Sequence, residues 1–90
     1  MEVIKKSGHV QELDISKIET SIKNAAEDIS FNLNESDIKC LVKDILNRIK
    51  FIRKDGSSTS SYEIQAIIIE KLVQDGFSQI ADSFISYKKQ

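Results

Sequence analysis

The run "VIKKSGHVQELDISKIETSIKNAA", residues 3–26, changes its hydrophobic period partway through, and that change decides the fold. Up to Leu13, apolar and polar residues alternate around Ser7-Gly8, as in an extended ribbon that reverses on itself. Gly8 supplies the positive φ that a tight reversal demands, so the segments Val3–Lys6 and His9–Leu13 are expected to pair as a β-hairpin. Strand alternation would send Lys5 and Lys6 to opposite faces, so both serve one pocket only at the hairpin rim. From Ile15 the period becomes helical: Ile15, Ile18, Ile22, Ala25, Ala26 and Ile29 recur at three-four spacing. Asp14 or Ser16 can cap this helix, and Ser16 with Glu19 has capping-box spacing.

Outward from that junction the helical period persists. A second helix starts at Asn34 or Ser36, carries Ile38, Leu41, Val42, Ile45, Ile49 and Ile52 on one stripe, and should end before Gly56. "KDGSSTSS", Lys54 to Ser61, is either a plain connector or the source of a short edge strand. Ser60 and Glu63 form another capping box, opening a third helix through Ile64, Ile67, Ile68, Leu72 and Val73. Asp75-Gly76 stops it, because glycine is the preferred residue just past a helix end. A fourth helix carries Phe77, Ile80, Ala81, Phe84, Ile85 and Tyr87, with Lys88 and Lys89 at its end, where cations suit the helix dipole. The predicted class is α+β, mainly α: a four-helix bundle partly covered by an N-terminal β-hairpin or small three-stranded sheet. Ninety residues, without proline and with three glycines, suit one domain over residues 1–90 with one modest core.

Charge and composition narrow the function. Thirteen Lys and Arg against fourteen Asp and Glu leave a formal charge of −1, which argues against a footprint for nucleic acid or an anionic membrane. The basic stretch "NRIKFIRK", Asn47 to Lys54, reads as a solvated helix face. No apolar run approaches the ~20 residues of a membrane span and the N-terminus is too polar for a signal peptide, so a cytoplasmic location is expected. Cys40 is alone, which rules out a disulfide framework or a cysteine zinc site, and its place beside Leu41 and Val42 reads as a small buried thiol. Catalysis finds little support. His9 lies at the turn with no Ser or Cys partner suggested by spacing, the carboxylates are scattered over helix faces, and no Gly-rich phosphate loop occurs. No catalytic residue and no metal ligand is assigned.

Lys17 is the informative oddity. It falls in the first turn of the first helix, where unpaired N–H groups make a cation unfavourable by about 0.3–1 kcal/mol when exposed. Asp14 can answer that charge locally. A bound phosphate would answer it as well, drawing the N–H groups, Lys17 and the hairpin lysines onto one anion.

The same run resembles the start of an ATP-cone, the small regulatory nucleotide-binding domain at the front of many ribonucleotide reductases. The family pattern is a V-x-K-R-x-G hairpin, then V-E-x-F-D, then K-I and a helix with A-I and A-A. Here Val3, Lys5, Lys6, Gly8, Val10, Gln11, Leu13, Asp14, Lys17-Ile18, Ile22 and Ala25-Ala26 stand at those positions. "SSYEIQAIIIEKLVQDG" is similar to the family's Ser/Thr before an E-I-Q helix, and "ADSFISYKK" to its closing A-x-x-[YF]-I-x-Y-[RK], so the resemblance spans the chain. It implies a four-helix bundle partly covered by a small sheet that binds ATP or dATP without hydrolysing it, with Mg2+ as a conceivable companion of the phosphates. Carried over, Val3 and Ile18 would pack against the base, Gln11 and Asp14 would read its polar edge, and Lys5, Lys6 and Lys17 would hold phosphates. Ser61 would donate its hydroxyl to the nucleotide, Gln65 would sit nearby, and Lys88 or Lys89 would close the site.

Two positions depart from the pattern. Gln11 replaces a carboxylate with an amide that both donates and accepts, and Lys6 replaces a bidentate guanidinium with a point charge. The expected function is allosteric control of a ribonucleotide reductase, in cis as an N-terminal piece or in trans as a free-standing cone, with a reductase catalytic chain or another cone as partner. The alternatives are a helical interaction module that has lost the nucleotide, or part of a transcriptional regulator of reductase genes. The latter pairs its cone with a cysteine-rich zinc module, and this chain has only Cys40.

Overall fold

The computed structural model describes residues 1–88, with side chains through Ser86. The chain runs β1 (Glu2–Ile4), β2 (Val10–Glu12), α1 (Ile15–Asp28), α2 (Glu35–Ile52), β3 (Thr59–Ser60), α3 (Ser61–Gln74) and α4 (Ser78–Lys88). Four helices and a small mixed sheet make the α+β, mainly α architecture that the period change predicts.

The hairpin is shorter than alternation suggests. β1 and β2 pair antiparallel from Glu2↔Glu12 to Ile4↔Val10. Lys5 and Lys6 therefore stand in the turn rather than on opposite strand faces. Lys5 accepts from the Gly8 N–H at 2.9 Å and donates to the His9 carbonyl at 2.7 Å, a reversal with a glycine bulge that needs Gly8 at φ 87°. The serine-rich connector supplies β3, which pairs parallel to β1 at Val3↔Thr59 and Ile4↔Ser60, so the order is β2-β1-β3.

Three of the helices begin where a short polar side chain takes an orphan N–H. Asp14 caps α1 by accepting from the Ser16 N–H at 3.0 Å, Asn34 caps α2 through Asp37 at 2.8 Å, and Ser60 caps α3 through Glu63 at 3.1 Å. The capping choice open at α1 falls to Asp14. Glu63 does more than follow its cap. It accepts from Arg53 Nε at 2.9 Å, Arg53 Nη2 at 2.7 Å and the Thr59 hydroxyl at 2.7 Å, tying the end of α2 and the strand β3 to the start of α3. The Arg53 guanidinium holds the Glu63 carboxyl below the usual carboxylate range, with Thr59 acting in the same direction and burial opposing. At the far end of α3, burial and the neighbouring Asp44 push the Asp75 carboxyl up.

The helices close a ring in which α1 packs on α2 and α4, and α3 on α2 and α4. Ile22, Ile45, Ile49, Leu72 and Ile80 are wholly enclosed, one or two from each helix. Val3 of β1 joins that core, so the sheet lies directly on the bundle. The predicted stripes hold in their middles and fail at their ends: Ile15, Ile29, Ile52 and Val73 are exposed. Cys40 is also exposed, against the expectation of a buried thiol. One residue of helix turns the chain by about 100°, which carries Cys40 away from the buried line of Ile38, Leu41 and Ile45. Among the described residues no helix is long and apolar enough to cross a membrane.

Candidate functional site

A cavity of about 160 Å³ lies where the hairpin, the start of α1, the start of α3 and one residue of α4 converge. Val3, Ile18, Ile64, Ile68 and Phe84, all buried, make its apolar floor. Lys5, Gln11, Glu12, Asp14, Lys17, Ser21, Ser61 and Gln65 make its polar wall and rim.

Local structure explains how each group arrives. The turn after β1 lifts Lys5 over the mouth, and Gln11 lies opposite Val3 in the ladder. Asp14 ends the hairpin and caps α1, so its carboxylate and the Lys17 ammonium stand at one helix start. The Ser16 hydroxyl donates to Asp14 Oδ1 at 2.6 Å and is the main reason the carboxyl titrates below its usual range. The N–H groups of Ser16 and Lys17 and the Lys17 charge act in the same direction, while burial opposes them. Asp14 therefore presents an acceptor and no proton near neutral pH. Lys17 and Ser21 follow at one-turn spacing, and Ser61, Ile64, Gln65 and Ile68 share one face of α3.

Ser61 carries the strongest polar signal. Its neighbour Ser60 takes the capping role, leaving the Ser61 hydroxyl buried in the cavity wall and without a hydrogen-bond partner among the described residues. A buried hydroxyl left in that condition costs about 1–3 kcal/mol, so it fits a site that a ligand completes.

The cavity brings together Val3, Lys5, Gln11, Asp14, Lys17, Ile18, Ser61 and Gln65 of the residues singled out from sequence. Lys6 is not among the lining residues; its ammonium stands 5.4 Å from the centre of the exposed Tyr62 ring. The Lys88 side chain and Lys89 lie outside the described residues. Ser21, Ile64 and Ile68 were legible in principle, since they share helix faces with Lys17, Ser61 and Gln65. Phe84 had no such signal, because it comes from a helix remote in sequence. Two other hollows of about 310 Å³ each lie beside α2 and gather none of the predicted residues.

The comparison with curated proteins returned no match. The sequence profile of the ATP cone domain matches residues 1–90, the same span whose hairpin, helix starts and buried hydroxyl build this cavity. The chain therefore belongs to the ATP cone domain family, regulatory and non-catalytic modules that bind nucleotides.

Proposed function

We propose that residues 1–90 form a single ATP cone whose cavity takes the purine of ATP or dATP, with the triphosphate at the rim between Lys5 and Lys17. The enclosed volume of about 160 Å³ is small beside the ~300–1,000 Å³ of typical ligand pockets, which suits a flat ring inside and phosphates outside. Val3, Ile18 and Phe84 offer apolar area to the base. Gln11 and Asp14 lie on the wall where an exocyclic amine can donate, and Asp14 is held as an acceptor. The observation that carries the reading is the buried Ser61 hydroxyl, without a partner among the described residues, in the wall of the cavity that Lys5 and Lys17 also line. Lys6 joins the site only by leaving Tyr62. Any Mg2+ would ride on the phosphates, since among the described residues no three His, Cys, Asp or Glu gather as a metal site.

Control of a ribonucleotide reductase chain, in cis or through a second cone, is the regulatory role that this nucleotide site would serve. Such control requires that ATP and dATP, which differ by one hydroxyl, favour different contacts with the partner.

Isothermal calorimetry with ATP, dATP and GTP tests the reading. Lys5→Ala and Lys17→Ala should each weaken ATP binding by about 10-fold, the loss of one charge-assisted contact, without lowering the melting temperature of the free protein. No heat up to about 1 mM ATP, which corresponds to roughly −4 kcal/mol, or unchanged affinity in both variants, overturns it.

A further inference from the structure

The α2 helix carries a second charged feature that the nucleotide reading does not use. Lys39, Lys43 and Lys50 fall within about 40° of one another around the helix, given its 100° per residue, so they form one row about 16 Å long. The row borders a groove of about 310 Å³ between α1 and α2, floored by Val42 and Leu46 and closed on the α1 side by Glu19. Lys39 and Lys43 stand at i, i+4, where like charges repel. No close contact relieves them: among the described residues, none of the three lysines forms an ion pair, although Glu35 stands one turn before Lys39. Glu19, the one carboxylate of the groove, is already neutralised by Lys23 at 3.0 Å.

We infer that this groove is a docking surface for an acidic amphipathic helix of a protein partner. The charge is a single row beside an apolar strip, which complements a helix bearing carboxylates along one edge of an apolar face. Three turns of lysine match three turns of partner. A long polyanion fits less well, because a chain of formal charge −1 offers it no net attraction beyond the row. The place is also apt for output. α1 gives Lys17, Ile18 and Ser21 to the nucleotide cavity and Glu19 to the groove, so one helix is a wall of both. The docking itself does not depend on the nucleotide reading.

The test uses the whole 90-residue chain and a fluorescein-labelled helical peptide. The peptide has about 18 residues, roughly 27 Å long, with Leu on one face and Glu on its flanks. Anisotropy at about 0.15 M salt should show saturable binding. K39E/K43E/K50E should weaken it about 30-fold and the neutral K39Q/K43Q/K50Q about 10-fold, as loss of three complementary rim charges predicts. Both variants should keep the wild-type circular dichroism melt, and the neutral one answers the question should charge reversal unfold the chain. Four results would overturn the inference: no binding at about 1 mM peptide, wild-type affinity in the neutral triple variant, equal binding of a scrambled peptide without a shared apolar face, or tighter binding of heparin or duplex DNA to the same row. A wild-type dimer in sedimentation that the triple variants abolish would place a second copy in the groove and overturn it too.

Discussion

Ser61 and Glu63 stand in the same turn at the start of α3 and meet opposite fates. Glu63 accepts three hydrogen bonds, two from Arg53 and one from Thr59, whereas the Ser61 hydroxyl is enclosed and accepts none. Ser61 closes the serine-rich connector and Glu63 follows it by two residues. The difference lies in where the helix points them: Glu63 toward the end of α2, Ser61 into the cavity between hairpin and bundle. A satisfied buried network belongs to architecture, while an orphaned group inside a cavity stores a cost that binding recovers. The polar groups that hold this end of the molecule together and those that serve a ligand thus separate by hydrogen-bond satisfaction, although they are adjacent in the chain.

Substitutions can break that contrast, in descending order of effect. Glu63→Ala strands the Arg53 guanidinium and the buried Thr59 hydroxyl and should lower stability by about 2 kcal/mol, read from urea denaturation. A loss near zero would make Glu63 as dispensable for folding as Ser61 is proposed to be. Ser60→Ala removes the cap of α3 and should cost about 1 kcal/mol in the same assay. Ser61→Ala should behave in the reverse sense: the free protein becomes no less stable, gaining up to about 1 kcal/mol, while ATP affinity falls about 5-fold. Destabilisation with unchanged affinity would return Ser61 to the architectural group.

The smallest effect is a pH dependence. Arg53 lowers the Glu63 carboxyl in the folded state, so around pH 4 the unfolded chain binds more protons there. The stabilisation is complete above the ordinary glutamate value of about 4.3 and is lost as pH falls through the folded value. Solvent screening of this half-buried pair keeps the effect under about 1 kcal/mol. The stability difference between wild type and Glu63→Gln should therefore shrink as pH drops below about 4. Asp75 works in the opposite direction. Its raised carboxyl contributes below about pH 3.9 and loses that contribution as pH rises through the folded value, but it is common to both proteins and cancels in the difference. A gap that stays constant down to pH 2 would mean that Arg53 does not discriminate between the charged and neutral acid.

Part of the candidate site was legible because it is local. Lys5, Asp14 and Lys17 fall within the one ribbon-to-helix junction that the change of period marks. Val3, Gln11, Ile18, Ser61 and Gln65 entered through the family pattern, not through spacing. Cys40 was misplaced because its exposure depends on how α2 is turned by its packing on α1 and α3. The placing of Lys6 beside the Tyr62 ring of α3 likewise depends on a segment remote from the hairpin turn.

Periodicity, glycines and capping residues determined by themselves that a reversing ribbon would precede four helices, and narrowed the starts of the first three to one or two capping residues each. These are preferences of a few residues acting on one another. Tertiary structure alone decided that β3 lies parallel to β1 beside the ribbon, that Phe84 floors the cavity, and that Ser61 keeps its hydroxyl unpaired. Each of these depends on segments far apart in sequence being closed onto one core, and the free energy of that closure resides in the burial of all four helices rather than in any short stretch.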